Sequence, residues 1–574
     1  MDLSPVSTLV EALDRAAARD AGYNFYDLRG ELAATLPYAR LSEEAKSLAS
    51  KLAARFERGA RIALVAETSP AFLTAFFACQ HAGLAPAPVP LPVNLGGKDG
   101  YLQQLRLMTV GAKAAAVVGP ASLKSFLIEA TEGLPDVAAL SFDDLNALPS
   151  GGAPTPFGPD DVCYIQYSSG STSAPKGVIG TQASVNANLY AITRHGLELQ
   201  EGDRAASWLP LYHDMGLIGF CLSPLFGQVS VDYIATSDFV RRPLLWLRLI
   251  TKNRATATYS PSFGYELAAR RSARAEDGAI DLSAVRIAGI GGDMVRPEAL
   301  AAFADAFAPF GFDAGAFLPS YGMAESTLAI SFTKIGDPLK VDEVDLRHLN
   351  RSGVAQPASA VTSDEHRRGF VVCGEALPEH EMEVRGPGGA ALADREVGRN
   401  FIKGPSRTPG YYNDPAATRA MYDGDWLDTG DMGYTLDGAI VVTGRAKDLI
   451  ILTGRNIWPQ DIEWAVEALP GVRQGGVAAF SVDDGVSERI VAVVERRGGM
   501  TADALRDLKR DVAKTIQASA GAPAESVLAR PHSMVVTSSG KLSRARVREK
   551  YLAGAFDPVG VDADVPKALA EARV

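Results

Sequence analysis

Residues 162–178 of the chain are Val-Cys-Tyr-Ile-Gln-Tyr-Ser-Ser-Gly-Ser-Thr-Ser-Ala-Pro-Lys-Gly-Val. The first six are mostly apolar or aromatic, which predicts a buried strand that ends at Tyr167. The next residues offer backbone N–H and hydroxyl donors that can surround anionic oxygens, and Lys176 adds a positive charge that can reach a phosphate. Residues 168–176 are called the phosphate loop below. Its candidate donors are Ser168, Ser169, Gly170, Ser171 and Thr172.

The composition of the phosphate loop also fits a surface turn, because turns rich in serine and glycine are common. The loop lacks the G-x-x-x-x-G-K-S/T pattern of nucleotide-binding P-loops, since Lys176 follows Pro175 rather than glycine. The loop alone leaves both interpretations open.

The size and composition of the chain exclude several classes of protein. At 574 residues it exceeds a single hydrophobic core, so we expect at least two domains. Its formal charge of -11 disfavours nucleic acid as a partner. No stretch approaches the roughly 20 apolar residues of a membrane helix, so we expect no transmembrane segment. The N-terminus has no secretory leader and the cysteines have no metal-ligand spacing, so we expect a cytoplasmic location.

Strand-like and helix-like segments alternate along much of the chain. This pattern predicts an α/β fold with layered, mostly parallel sheets. Helices are predicted at 41–58 and 69–82, and an extended proline-rich segment at 83–92. The predicted strands are 61–67, 114–118, 162–167, 256–259 and 285–289.

The best candidate for a domain boundary is Gly444-Arg-Ala-Lys-Asp448, because strand-like segments lie on both sides of it. We therefore predict a large N-terminal domain at 1–444 and a small, mobile α+β domain at 445–574. The polar segment 333–368 is either a disordered loop or a small ordered insertion.

Three further motifs follow the phosphate loop: Tyr321-Gly-Met-Ala-Glu325, Trp426-Leu-Asp-Thr-Gly-Asp431 and Thr537-Ser-Ser-Gly-Lys541. An aromatic ring can stack on a nucleotide base. A carboxylate beside an anionic loop needs a cation between them, and a carboxylate can accept two hydrogen bonds from a vicinal diol. A lysine on a turn can neutralise charge in a transition state. Taken singly, a surface acid or a flexible loop lysine is the alternative for each.

In this order, the motifs resemble those of the adenylate-forming superfamily, which includes acyl-CoA synthetases, luciferases and nonribosomal-peptide adenylation domains. The resemblance spans roughly residues 40–550. It implies ATP and Mg²⁺ as cofactors and the activation of a carboxylic acid as its acyl-adenylate. It also implies that Glu325 and Thr172 hold Mg²⁺, that Tyr321 contacts adenine, and that Asp431 binds the ribose hydroxyls.

The same resemblance assigns further roles. Lys541 is implied as the catalytic lysine, Arg445 as a ribose and phosphate contact, and Lys447 as the hinge. Arg399 stands where the superfamily usually has glutamate. A glycine-rich turn is expected to line the adenine pocket, although a simple turn after a strand is an equal alternative. The remaining nucleotide-site candidates are Gly291, Gly292, Asp293, Gly322 and Met323.

Three features resemble the fatty acyl-AMP ligase branch. The stretch 208–218 contains Leu-Pro-Leu-Tyr-His-Asp-Met-Gly-Leu-Ile, in which His213 either orients the substrate carboxylate or serves packing. Residues 454–463 resemble that branch except that Trp458 replaces tyrosine. The third feature is the segment 333–368, at the place of an insertion that restrains the small domain.

This branch implies a fatty acid substrate and a separate acyl carrier protein as partner, because no carrier motif follows Lys541. The alternatives are a fatty acyl-CoA synthetase, a peptide-synthetase adenylation domain and a non-catalytic nucleotide- or acyl-binding scaffold.

Overall fold

Short apolar runs form strands that are buried on both faces, as parallel sheets require. The computed structural model describes residues 1–92, 97–168, 175–275, 278–452, 455–483, 488–537 and 541–556. The strands of the first 150 residues are β1 (Gly22–Tyr26), β2 (Leu32–Pro37), β3 (Arg61–Val65), β4 (Ala85–Val89), β5 (Ala114–Gly119) and β6 (Ala138–Ser141). The helices there are α1 (Leu9–Ala16), α2 (Tyr38–Arg55), α3 (Pro70–Ala82), α4 (Gly97–Gly111), α5 (Lys124–Ala130) and α6 (Phe142–Ala147).

The large domain contains two sheets that are built mainly from parallel strands. Strands β4-β3-β5-β6 form an all-parallel sheet. The proline-rich segment supplies its edge strand β4, where missing N–H groups cost least. Helix α3 begins as its sequence predicts, because Ser69 caps it and Pro70 occupies its first turn.

A nine-stranded sheet forms the centre of the large domain. Its strands and their neighbours are β7 (Val162–Tyr167), β8 (Gly177–Thr181), β9 (Arg204–Ser207), β10 (Ser230–Ile234), β11 (Ala257–Ser260), β12 (Ile287–Ile290), β13 (Phe317–Gly322), β14 (Ala329–Phe332) and β17 (Glu375–Ala376). The sheet order is β17-β14-β13-β12-β11-β9-β10-β1-β2, parallel from β13 to β1 and antiparallel at both edges. The helices of this region are α7 (Gln182–Ala191), α8 (Asp214–Gly216), α9 (Ser223–Phe226), α10 (Thr236–Arg241), α11 (Leu244–Asn253), α12 (Ser262–Ala269) and α13 (Pro297–Phe307).

Strand β7 does not join either parallel sheet. It pairs antiparallel with β8, with Tyr167 opposite Gly177, so the phosphate loop connects the two strands of a hairpin. Gly410 and Tyr412 bond to β8 as a third, short strand. This contact brings a segment more than 200 residues away to the base of the loop, which local patterns could not predict.

The segment 333–368 contains regular secondary structure rather than a disordered loop, and its being an insertion stays a prediction. Strand β15 (Val341–Asp345), helix α14 (Leu346–Ser352) and strand β16 (Arg367–Val371) form a small antiparallel unit. The following strands are β17 (Glu375–Ala376), β18 (Glu381–Arg385), β19 (Gly398–Lys403), β20 (Tyr422–Asp423), β21 (Trp426–Leu436) and β22 (Ala439–Arg445), with helix α15 (Pro415–Ala420) between β19 and β20. Strands β18 to β22 form an antiparallel sheet.

A smaller C-terminal domain follows, with its own cores on the two faces of a sheet β25-β26-β27. The strand β22 continues through Gly444 to Arg445, so the predicted linker begins later than its glycine suggested. The exact boundary at 444/445 stays a prediction. The elements are β23 (Ile450–Leu452), β24 (Arg455–Ile457), α16 (Pro459–Glu467), β25 (Val472–Asp483), β26 (Glu488–Arg496), α17 (Ala502–Ala520), β27 (Ala524–Ala529) and α18 (Arg544–Leu552).

The predicted fold class is confirmed: the chain is α/β, with a large domain built on parallel sheets and a smaller C-terminal domain. Within the described ranges, no helix has both the length and the apolar character that crossing a membrane requires.

One continuous helical stretch borders the central sheet. Helix α8, a π-helical turn at Leu217–Leu222 and helix α9 follow each other without a break. A Cβ atom added at Gly216 would meet the carbonyl oxygen of Pro210 at 2.1 Å, whereas one at Gly219 would meet only a Leu328 methyl at 3.6 Å. The backbone therefore requires glycine at the first position and not at the second.

We predict that Gly216→Ala destabilises the protein by about 1–3 kcal/mol, because the methyl group collides with fixed backbone. Gly219→Ala is the matched control in the same helical stretch and should unfold at or above the wild-type temperature. Thermal unfolding followed by circular dichroism measures both. Equal melting temperatures for the two variants would contradict this explanation of the glycine.

Candidate active site

The predicted site residues meet at the carboxyl edge of the central sheet, where β13 ends and the small domain faces the large one. They border a cavity of about 460 Å³. The predicted residues that line it are Ser168, Lys176, His213, Gly291, Gly292, Tyr321, Gly322, Met323, Glu325, Asp431, Arg445, Lys447 and Lys541.

Five predicted residues are not placed in this lining. Ser169, Gly170, Ser171 and Thr172 lie outside the described residues. Asp293 is exposed, and its carboxylate accepts a hydrogen bond from the N–H of Met294 in its own turn. The glycine-rich turn thus contributes Gly291 and Gly292 to the cavity wall rather than its acid.

Asp431 lies on β21 and contacts Tyr321 on β13 and Arg445 at the end of β22. The Tyr321 hydroxyl donates to its carboxylate at 2.8 Å. Arg445 lies opposite Asp431 in the β21–β22 register, with Nε 3.6 Å from Oδ1. Burial raises the pKa of Asp431, and the positive charge of Arg445 opposes that effect. This leaves a partly buried carboxylate that can accept further hydrogen bonds.

Glu325 is the second carboxylate of the cavity and is buried. The Tyr411 hydroxyl donates to its Oε1 at 2.8 Å, and Lys176 Nζ lies 4.6 Å from the centre of the Tyr411 ring. Burial raises the pKa of Glu325, and the Tyr411 hydrogen bond only partly offsets it. A cation bound at this carboxylate would remove the cost of burying its charge.

His213 and Asp214 form a hydrogen-bonded pair at the cavity wall. The Nδ1 atom of His213 is 2.6 Å from Asp214 Oδ1, which also accepts the N–H of Met215 at 2.7 Å. Burial works against ionisation of Asp214, but His213 and Lys541 hold its pKa below the ordinary value. The ionised Asp214 accepts a hydrogen bond from Nδ1–H of His213, so Nε2 is the ring nitrogen that remains for a ligand.

The small domain delivers cations to the same cavity. Lys541 Nζ donates to the carbonyl oxygen of Gly292. Burial and the charge of Arg445 lower the pKa of Lys447. The preceding Ser538, Ser539 and Gly540 of the lysine motif lie outside the described residues.

A clamp of two arginines holds the small domain in this position. Trp464 of α16 lies between Arg296 and Arg368, whose guanidinium carbons are 4.7 and 4.2 Å from its ring. Asp461 pairs with Arg368 at 3.1 Å and Glu467 with Arg296 at 3.3 Å. Burial raises the pKa of Glu467 to about 7. Because Arg368 belongs to the segment 333–368, this segment contacts the small domain directly.

Sequence reasoning missed several of these residues. Asp214 lies in the stretch 208–218, but nothing in its position shows that it bonds His213. Tyr411 lies in none of the motifs given above, and only the fold brings its hydroxyl to Glu325. Arg399 pairs with Asp428 at 2.7 Å. The unusual residue at 399 is therefore matched by a partner acid in the next motif.

The fold, and the motif residues that line one cavity, are those expected of an adenylate-forming enzyme. The model of the AMP-binding enzyme family matches residues 13–412. The chain belongs to this family, as its motifs predicted.

Known proteins are similar over nearly the whole chain. A putative acyl-CoA synthetase of Caulobacter vibrioides is 48% identical over 554 residues, 96% of each chain. A medium-chain-fatty-acid–[acyl-carrier-protein] ligase of Moorena producens is 31% identical over 581 residues, again 96% of each chain. A structure from studies of fatty acyl-adenylate ligases of E. coli and L. pneumophila is 42% identical, with a TM-score of 0.91, covering 96% of this chain and 98% of that one.

We predict that Trp464→Ala releases the small domain, because each cation–π contact contributes about 0.5–2 kcal/mol. Small-angle X-ray scattering should show a larger radius of gyration, and proteolysis between 444 and 448 should become faster. Trp464→Phe keeps an aromatic ring between the arginines and is the control. Unchanged dimensions and proteolysis in the alanine variant would show that the clamp does not hold the domain.

Proposed function

We propose that this chain is a fatty acyl-AMP ligase. It activates a fatty acid with ATP, releases pyrophosphate and passes the acyl group to the phosphopantetheine thiol of a separate acyl carrier protein. The observation that carries this proposal is the meeting of Glu325, Asp431 and Lys541 in one cavity that continues behind His213 between apolar side chains. Its similarity to fatty acyl-adenylate ligases supports the same activity.

The nucleotide has a specific place in this proposal. Asp431 accepts hydrogen bonds from the two ribose hydroxyls. Its carboxylate already accepts one from the Tyr321 hydroxyl, and a carboxylate can accept several. Tyr321 and Gly291–Gly292 border the adenine, and Arg445 contacts ribose and phosphate. Ser168 and Lys176 at the base of the loop, with Ser169 to Thr172, hold the triphosphate.

The donor set fits Mg²⁺ bound mainly through substrate phosphates. Among the residues that the structure describes, no cluster of three metal ligands occurs, whereas Glu325 is a buried carboxylate beside the cavity. Mg²⁺ usually takes one or two protein carboxylates together with phosphates and water. Glu325 would hold it, with Thr172 beside it. The ion would supply neutralisation of phosphate charge.

The reaction requires a carboxylate to approach a triphosphate that repels it. A carboxylate oxygen attacks the α-phosphorus, and the bond from that phosphorus to the bridging oxygen breaks, so pyrophosphate leaves with the electron pair. His213, oriented by Asp214, positions the carboxylate. Lys541 and Arg445 neutralise the charge that develops on the α-phosphate.

The acyl acceptor in this proposal is the thiol of a carrier protein rather than free CoA. The names of the similar proteins include both CoA and carrier-protein ligases. The clamp on Trp464 favours a carrier protein, because thiol access in this superfamily is implied to need rotation of the small domain about Lys447.

The four cysteines are buried free thiols, which fits the reducing cytoplasm.

We predict that Lys541→Ala abolishes acyl-AMP formation while ATP affinity changes little, because the lysine acts on charge that develops in the transition state. Acyl-AMP is measured by mass spectrometry and ATP binding by calorimetry. Lys550→Ala, an exposed lysine on α18, is the control and should be active. A normal adenylation rate in Lys541→Ala would sink this assignment.

We also predict that Arg368→Ala raises thioester formation with free CoA, because it removes one side of the clamp. Deletion of much of 333–368 should have the same effect. Lys340→Ala serves as the control, since Lys340 pairs with Asp437 of the large domain instead. The products are separated with CoA as the sole acceptor. If CoA is used equally by all three proteins and the wild type, the enzyme is an acyl-CoA synthetase and the insertion has no part in acceptor choice.

A further inference from the structure

The lining of the active-site cavity extends beyond His213 along one face of the central sheet, and this part of the cavity is called the tunnel below. Its lining is mostly apolar and comes from segments far apart in sequence. They include Ile192, Leu197, Phe220, Leu328 and Phe332. If the proposed function holds, the acyl chain of the substrate occupies this tunnel, so the tunnel's length and end restrict the substrate.

The floor of the tunnel is a set of strand residues in register. Ala257 lies opposite both Ala205 and Ile287 in the parallel sheet, and all three line the cavity. Tyr259 and Gly291 line the same cavity nearer the reaction site. From Gly291 to Ile287 there are four residue steps, which span roughly 13 Å at the rise of a parallel strand.

The roof gives an independent measure of the same length. Met215, Gly219 and Pro224 of the α8–α9 helical stretch all line the cavity. Nine residue steps separate Met215 from Pro224, or roughly 13 Å at helical rise. Met215 lies at the reaction end, because a Cβ added at Gly292 would come within 2.5 Å of its sulfur. Gly219 keeps the middle of the tunnel open.

The ion pair of Asp203 and Arg286 lies at the far end of the tunnel, with the acid buried and the arginine 23% exposed. Asp203, whose side chain is only 4% exposed, borders the cavity and pairs with Arg286 at 2.5 Å. The Thr256 hydroxyl and the N–H of Gln200 each donate to the Asp203 carboxylate at 2.7 Å. Displacing this pair would leave a buried charge without its partner, which is costly. An apolar chain therefore stops here rather than pushing through.

We propose that the enzyme selects straight, medium-length fatty acids, with the Asp203–Arg286 pair as the chain-length stop. A zigzag of C–C bonds of about 1.5 Å and angles near 111° advances roughly 1.25 Å per carbon. A tunnel of roughly 13 Å thus holds about ten carbons before the ion pair. Acids of about ten carbons fill the tunnel, and those of sixteen or more exceed it.

The test is ATP–pyrophosphate exchange with straight saturated acids from six to eighteen carbons. Wild type should show the highest kcat/KM at about ten carbons and at least about a tenfold fall at sixteen. Gly219→Ile should move the optimum to shorter acids than Ala257→Val does, because position 219 lies nearer the reaction site. KM for ATP should not change. Ala302→Ile, an exposed position on α13, is the control for added bulk.

The outcomes separate this proposal from the one on which it rests. Exchange that is highest at sixteen or eighteen carbons, or an unchanged profile in both tunnel variants, would overturn the chain-length stop while leaving fatty acid activation intact. Absence of exchange with every acid would instead contradict the proposed function itself. If Gly219→Ile fails to fold, Gly219→Ala and Ala257→Val still test the order of the effects.

Discussion

Two carboxylates, the buried Glu325 and the partly buried Asp431, share one cavity in the large domain, and desolvation raises the pKa of each. A cavity of this kind is unfavourable unless cations or hydrogen-bond donors enter it. Arg445 and Lys541 enter from the last strand and the small domain, so the position of that domain completes the charge balance. The Trp464 clamp and the segment 333–368 matter for this reason.

The motifs predicted most of this site, because each type of chemistry needs a particular side chain after a particular strand. Tyr321, Glu325 and Asp431 could be assigned from their motifs alone. The partners of these residues could not. Tyr411 reaches Glu325 across 86 residues through the third strand on β8, and Asp214 binds its neighbour's ring only because the chain turns there.

The fold class and some strands of both parallel sheets, such as β3, β5, β11 and β12, were also predictable, since buried strands produce continuous apolar runs. Two features were not. Strand β7 has the apolar sequence of a parallel strand, because it is buried like one, although it forms an antiparallel hairpin with β8. The tunnel depends on small residues such as Gly219 and Ala257, whose importance is the space they leave rather than any contact they make. Only the packed structure shows where that space begins and ends.

The central claim is that a carboxylate oxygen attacks the α-phosphorus of ATP. The most direct test uses decanoic acid labelled with ¹⁸O in its carboxyl group, ATP and hydroxylamine as the final acyl acceptor. The account predicts one ¹⁸O atom in each AMP released and none in pyrophosphate. Label in inorganic phosphate, or AMP without label, would show that no acyl-adenylate forms and would contradict the account.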